Sequence, residues 1–182
     1  MKTVEYEKKK LLTEKEFNDK IAELSRFAPA DDILQINYYY DTADFAFHKR
    51  DETVRIRQKD DKLRFEHKIG KQSVGSTKIS KETARSMEIL PKGVLFDNIE
   101  VSLLGSLITY RTNFHMDNFV ISLDKNFYLG SIDFEIEVES DKLDDALPPA
   151  IDIFVGTPAA GKYTRFVTAL KNMDDQYNMI AN

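Results

Sequence analysis

Residues 4–12 read VEYEKKKLL. Every second position from Glu5 gives Glu5, Glu7 and Lys9, and the residues between, Val4 and Tyr6, are apolar. A period of two is that of a strand, so two carboxylates and an ammonium leave one face together. Such a face is no ordinary core, and what it serves decides the fold.

The same alternation runs through the later strand-like stretches. Arg55 and Arg57 share a face opposite Val54 and Ile56. Arg64, Glu66 and Lys68 oppose Leu63, Phe65 and Ile69. Ser122 and Asp124 share the parity of Val120, opposite Phe119, Ile121 and Leu123. Asp133, Glu135, Glu137 and Glu139 oppose Ile132, Phe134, Ile136 and Val138. A sheet with its polar face in water would show alternation too. Two details argue against that. Same-face neighbours lie about 6.6 Å apart along a strand, so four acids or two arginines in a row repel unless opposite charge lies between them. The charges are also sorted by strand, and a solvated surface is better with its signs mixed. Curling the sheet so that the polar face is inside focuses both signs on one ligand and turns the apolar face outward, to be covered by helices. A closed barrel of about eight strands has room for one small ligand. The expected fold is therefore α+β: a closed antiparallel eight-stranded β-barrel, or tunnel, with helices packed on its outside.

The rest of the chain fits around that frame. Thr13 with Glu16 forms a capping box, and Phe17, Ile21 and Leu24 follow at helical spacing. DDILQINYYYDT (31–42) reads as a strand, and residues 52–70 as a hairpin with its turn at Lys59–Asp61. STKIS (76–80) reads as a short strand, with Ser80 capping a helix to about Glu88. Asn98–Leu104 reads as a short helix ended by Gly105, and the segment after Asp141 as helical up to Pro148–Pro149. A last helix carries Tyr163, Phe166, Val167 and Leu170 on one stripe. The 182 residues show no repeat and no linker, so one domain spanning 1–182 is expected.

Composition narrows the function. There is no cysteine, which excludes disulfides, thiolate metal sites and cysteine nucleophiles. A net charge of −5 speaks against nucleic acid as a partner. No apolar run approaches the roughly 20 residues of a membrane helix, and the opening MKTVEYEKKK lacks an apolar leader, so no membrane partner and a cytoplasmic location are expected. Clustered carboxylates suit Mg²⁺ or Mn²⁺, hard ions that take oxygen ligands. Arg and Lys suit phosphate oxygens. A metal–polyphosphate complex satisfies both sets at once, and phosphoryl transfer is a reaction in which positioning and charge neutralisation do most of the work.

These residues resemble the CYTH family, the triphosphate tunnel metalloenzymes, which include class IV adenylate cyclases and thiamine triphosphatases. Glu5-x-Glu7-x-Lys9 is similar to the family's ExExK signature. INYYYDT (36–42) resembles its second strand, and VRIRQKDDKLRFEHK (54–68) its R-x-R strand and the strand ending in Lys. LDKNFYLGSIDFEIEVE (123–139) resembles its late Asp, Leu-Gly turn and E-x-E strand, and KYTRF (162–166) its carboxyl-terminal Lys-x-x-Arg-Phe. The resemblance implies a tunnel binding a triphosphate end-on. It implies that Glu5, Glu7 and Glu137 hold a divalent metal, with Asp124 and Glu135 nearby, and that these acids and Lys9 are catalytic. Lys9, Arg55, Arg57, Lys68 and Arg111 would bind phosphate, with Lys162 and Arg165 approaching from the last helix. The implied activity is metal-dependent hydrolysis of inorganic or organic triphosphate. The alternatives are a class IV-type adenylate cyclase, for which no adenine signature stands out, and a non-catalytic polyphosphate- or nucleotide-binding module, against which the full acid set argues. Two departures bear on substrate identity. Thr109 stands where some relatives have a base, and STKIS holds no glutamate, leaving Glu82 as a loose candidate.

Other features carry no role in this reading. Glu139 is placed at the rim, Arg64 and Glu66 pair with each other, and Lys8 and Lys10 face solvent. His48, His67 and His115 lack ligand spacing and are structural or surface residues. GTPAAGKYT (156–164) has the glycine spacing of a P-loop, but Tyr163 stands where the Mg²⁺-ligating hydroxyl belongs, and no parallel-sheet pattern surrounds it.

Overall fold

A computed structural model of the chain describes residues 2–28, 30–116, 118–140, 152–154 and 158–181. The elements run β1 (Lys2–Leu12), α1 (Glu14–Leu24), β2 (Ala30–Asp41), α2 (Ala46–Lys49), β3 (Glu52–Lys59), β4 (Lys62–Val74), β5 (Thr77–Met87), β6 (Gly93–Phe96), β7 (Ile99–His115), β8 (Phe119–Tyr128), β9 (Ser131–Ser140) and α3 (Lys162–Ala181). The strands pair in the order β2-β3-β4-β5-β1-β9-β8-β7, and β7 pairs back onto β2, closing an antiparallel ring of eight. A ninth strand, β6, pairs with the first part of β7.

The alternation read from the sequence sets the two faces of this ring. Lys9 stands opposite Glu137, Arg111 opposite Asp124, and Arg55 opposite Glu66, so these charges share the inner face. The core is on the outside, in separate patches. Leu24 of α1 covers Phe114, Ile121, Leu123, Ile136 and Val138, with Leu12 at the edge. Phe47 of α2 joins Tyr40, Val54, Ile56, Phe65 and Val101, flanked by Phe96 of β6. Truncating one of these fully buried side chains to Ala costs about 2–5 kcal/mol. The capping box at the start of α1 is present: the Glu16 amide donates to Thr13 Oγ1 (3.2 Å), and the Thr13 amide donates to Glu16 Oε2 (2.7 Å).

The third patch is different. Tyr163, Phe166 and Val167 of α3 pack on Tyr39 and Leu107, which share the inward face of their strands with Arg55 and Thr109. The first turns of α3 therefore enter the end of the barrel. Gly105 makes room for them: its φ is +153°, and a Cβ there would lie 2.9 Å from Phe166 Cζ. That glycine sits beside a register shift, where Tyr39 faces Gly105 and Tyr40 faces Leu103.

Two local expectations need correction. The stretch from Ser80 to about Glu88 is not a helix. It continues β5, along which Ser80, Glu82 and Ala84 face Gly70, Lys68 and Glu66 of β4. Ser80 and Glu82 keep the strand period, and pairing on both edges overrides the capping signal. Asn98–Leu104 is also strand. Asp97 and Asn98, both at positive φ, make the two-residue turn from β6 into β7, and Gly105 serves the bulge and Phe166 rather than a helix end. The β3–β4 turn falls where expected, with Lys59 paired to Lys62. The helix expected between Asp141 and Pro149 lies outside the described residues. No described helix is long and apolar enough to cross a membrane.

Candidate functional site

The barrel encloses a cavity of about 170 Å³. Its wall includes Glu5, Glu7 and Lys9 from β1, Arg55 and Arg57 from β3, Lys68 from β4, Arg111 from β7, Glu137 from β9 and Lys162 from α3. Distant sequence segments thus meet because each contributes the inward parity of one strand. Asp124, Glu135 and Arg165 lie one contact behind this wall, in the same ion-pair network.

At the α3 end the charges are closely matched. Lys162 Nζ reaches Asp124 (2.8 Å), Glu135 (2.5 Å) and Glu137 (2.9 Å). Arg111 donates twice to Asp124, at 2.7 Å each, and also to Glu137. Arg165 donates to Asp133 (2.8 Å) and Glu135 (2.6 Å). Lys9 links this group to β1, lying 2.9 Å from both Glu137 and Glu7. Lys68 then ties Glu7 (3.2 Å) to Glu5 (2.9 Å). On the opposite wall Arg55 donates to Glu66 (2.7 Å) and Glu82 (3.2 Å), and Arg57 donates to Asn37 (3.0 Å).

The titration behaviour follows this layout. Burial opposes the charge on Glu7, but Lys9 and Lys68 outweigh it and bring Glu7 down to about 2. Glu137 is likewise held well below the carboxylate range, burial being outweighed by Lys162, Lys9 and Arg111. Its neighbour Glu135 goes the other way, pushed up by burial and by the Glu137 charge against the pull of Lys162. Two groups stand out as under-neutralised. Burial and then the adjacent Arg55 lower Arg57, whose nearest carboxylate, Glu66, is 3.6 Å away. Burial, then Glu137, raise Glu139, which makes no ion pair or hydrogen bond among the described residues. An arginine short of an anion and a glutamate short of a cation share one cavity.

Asp124, Glu135 and Glu137 each present a carboxylate oxygen, and these oxygens lie within 4.8 Å of one another. An all-oxygen set of that size fits a hard divalent cation. Lys162 Nζ contacts all three of these carboxylates, and Glu5 and Glu7 lie outside the set, paired instead with Lys68 and Lys9.

Some residues stand elsewhere than the sequence suggested. Glu82 is buried, bonds Arg55 and lines the cavity, so β5 does supply a glutamate. It was hidden by reading Ser80 as a helix cap, whereas strict parity from Lys78 reaches it. Glu139 lines the cavity beside Glu7, its cross-strand neighbour, instead of sitting at the rim. Glu66 lies 3.8 Å from Arg64, but its main partner is Arg55. Lys162 and Arg165 do approach from the last helix, and the barrel end encloses both side chains. Tyr39 and Asp133 carried no signal in the sequence beyond parity. The histidines are structural or peripheral: His67 lies 2.7 Å from Glu52, His115 contacts Asp31, and His48 packs edge-on to Tyr163. The described part of GTPAAGKYT leads into α3 of an antiparallel barrel, with Lys162 bound to carboxylates, so it is not a P-loop.

Comparison with known proteins agrees with this architecture. The CYTH domain model matches residues 3–152. "Putative triphosphatase YjbK" of Bacillus subtilis (strain 168) is 29% identical over 149 residues, covering 75% of this chain and 77% of that protein. Among solved structures, a "putative adenylate cyclase" from Bacillus halodurans superposes with a TM-score of 0.73 at 25% identity, covering 91% of this chain and 98% of that one. HpAC1 from Hippeastrum superposes with a TM-score of 0.69 at 20% identity, covering 90% and 95%, and shows the same fold.

Proposed function

We propose, from the premise that the chain belongs to the CYTH domain family, that it is a Mg²⁺- or Mn²⁺-dependent hydrolase of inorganic triphosphate or a small organic triphosphate. The reading treats residues 1–182 as one such domain. The observation that carries it is the shared cavity, in which Arg55, Arg57, Lys68, Arg111 and Lys162 face Glu5, Glu7, Glu137 and Glu139, with Arg57 no closer than 3.6 Å to a carboxylate and the Glu139 carboxylate without an ion pair among the described residues. The name of the Bacillus subtilis relative supports triphosphate as the substrate class.

In this reading Arg55, Arg57, Lys68, Lys9 and Arg111 take the phosphate oxygens, each contact being charge-assisted and therefore stronger than a neutral one. Lys162 and Arg165 meet the chain from α3. Glu5, Glu7 and Glu137, with Asp124 and Glu135, would hold the divalent ion, which supplies a counter-charge to the phosphates and a more acidic bound water. Burial of the site keeps these fields strong and fixes the groups before substrate arrives. Glu139, whose burial raises it, stands ready at its carboxylate to take a proton from an attacking water.

The test is phosphate release from tripolyphosphate, thiamine triphosphate and ATP, run across Mg²⁺, Mn²⁺ and Ca²⁺. Release with Mg²⁺ or Mn²⁺, lost in Glu7→Gln with the fold intact by circular dichroism, is expected. A folded chain that releases nothing from any of the three would refute the hydrolase. Adenylate cyclase is the second reading, favoured by the name of the Bacillus halodurans relative at 25% identity. Its wall would have to seat adenine, yet among the described residues the aromatic rings lining the cavity are Tyr39 and Tyr163, packed against each other where α3 meets the barrel. Cyclic AMP made from ATP would establish it.

A further inference from the structure

We propose that Asp41 and Tyr163 form a latch that sets the position of Lys162 in the tunnel, making both positioning residues for triphosphate binding and turnover. The proposal rests on the reading above in which Lys162 meets phosphate.

Asp41 ends β2 and is wholly buried. Its Oδ1 accepts the amides of Thr42 (2.7 Å) and Phe47 (3.0 Å). Its Oδ2 accepts the amide of His48 (2.9 Å) and the hydroxyl of Tyr163 (2.6 Å). No cation pairs with it among the described residues. A buried carboxylate must be stabilised by something, and here oriented N–H and O–H dipoles do it. Holding the amides of α2 needs only a short polar side chain. Accepting the Tyr163 hydroxyl on an oxygen already shared with His48 needs the second carboxylate oxygen, and that bond joins β2 to α3, 122 positions away in sequence.

Tyr163 directly follows Lys162, the first residue of α3. Helix ends are ordinarily the least ordered part of a helix, and lysine has a flexible four-carbon stem. Yet Lys162 Nζ must reach three carboxylates at once. The neighbouring tyrosine is held on several sides. Its ring lies 4.8 Å from that of Tyr39 and 5.6 Å from that of His48, and its hydroxyl is tied to Asp41. Burial, and then Asp41, hold that hydroxyl firmly protonated, so it stays a donor. One turn on, Phe166 closes against Gly105. The ring contacts fix how deep the helix enters; the directional hydroxyl bond fixes its rotation, and with it the direction in which Lys162 points.

Tyr163→Phe removes one oxygen and keeps the ring; Asp41→Asn keeps the shape and loses the shared acceptor. In the full chain both should speed hydrogen exchange at amides 162–166 while leaving the barrel strands protected. Both should lower kcat/KM for tripolyphosphate by roughly tenfold to a hundredfold, the upper figure being the cost of about an ångström of misplacement, and weaken tripolyphosphate binding measured by calorimetry. Added to Lys162→Ala, Tyr163→Phe should cause no further loss of kcat/KM, although it still lowers Tm. Unchanged exchange at 162–166, a lowered Tm with wild-type kcat/KM, or an equal extra loss in the Lys162→Ala background would each overturn the latch. If the unaltered chain neither binds nor cleaves tripolyphosphate, the functional reading fails and the role in turnover falls with it; the exchange measurement alone then decides whether the latch exists.

Discussion

The two halves of the tunnel wall handle charge differently. Around α3, Asp124, Glu135 and Glu137 are met by Lys162, Arg111 and Arg165 at hydrogen-bonding distance. Farther along the cavity wall, the Glu139 carboxylate, two residues past Glu137 on β9, has no such partner among the described residues, and Arg57 of β3 has Glu66 only at 3.6 Å. The first region is built like a protein interior: every charge has a partner, and removing one leaves its neighbours under-compensated. The second is left incomplete, which a fold tolerates where a ligand completes it. The contrast is one of neutralisation: the charges around α3 are already paired within the protein, and in the proposed reading the ligand must exchange those pairings for its own, whereas Arg57 and Glu139 have less to give up.

Substitutions should therefore act with opposite sign in the two regions. The largest effect is expected at Asp124→Asn, which removes a buried carboxylate from Arg111 and Lys162, leaves them only Glu137 and Glu135, and should cost about 3 kcal/mol in urea denaturation, the low end for breaking a buried pair. A loss under about 1 kcal/mol would erase the distinction. Next comes acid. Glu7, lowered from 4.5 to about 2, favours the folded state only while ionised, so its contribution of about 3 kcal/mol is complete above pH ~4.5 and fades as pH falls toward 2. Metal-free protein should lose stability over that window, and Glu7→Gln should flatten the loss. Arg57→Ala should leave stability near wild type but weaken triphosphate binding by about 1.5–3 kcal/mol, read as a raised KM. The smallest effect is the most diagnostic: Glu139→Gln, which relieves repulsion by Glu137 and Glu7, should raise the Tm of metal-free protein by a degree or two. A fall in Tm would mean that Glu139 is structural after all.

Much of this layout was legible from parity alone. Once VEYEKKKLL, VRIRQK and IDFEIEVES are read as strands, Glu7, Arg55, Arg57 and Glu137 must share a face, and charge sorting points that face inward. What parity cannot show is depth. Tyr39 and Leu107 share the charged face but are apolar enough to receive α3, and only the three-dimensional fit of Phe166 over Gly105 tells that the helix enters the barrel end. Local signals misled where a strand imitates a helix boundary. Ser80 resembles a cap and Gly105 a stop, and pairing partners far away in sequence decided both. Glu82 was the casualty, a tunnel residue hidden in a stretch taken for helix.

Closure of the ring has a colloidal consequence. Each of its eight strands is bonded to a neighbour on both flanks over part of its length, so among the described residues the ring itself has no edge strand. The described strand outside the ring is β6, only four residues long, with Leu95 projecting into water. A template so short nucleates cross-strand aggregation poorly, and a protein whose working interior bristles with charge can stay dispersed because its hydrogen-bonding rim has been rolled shut.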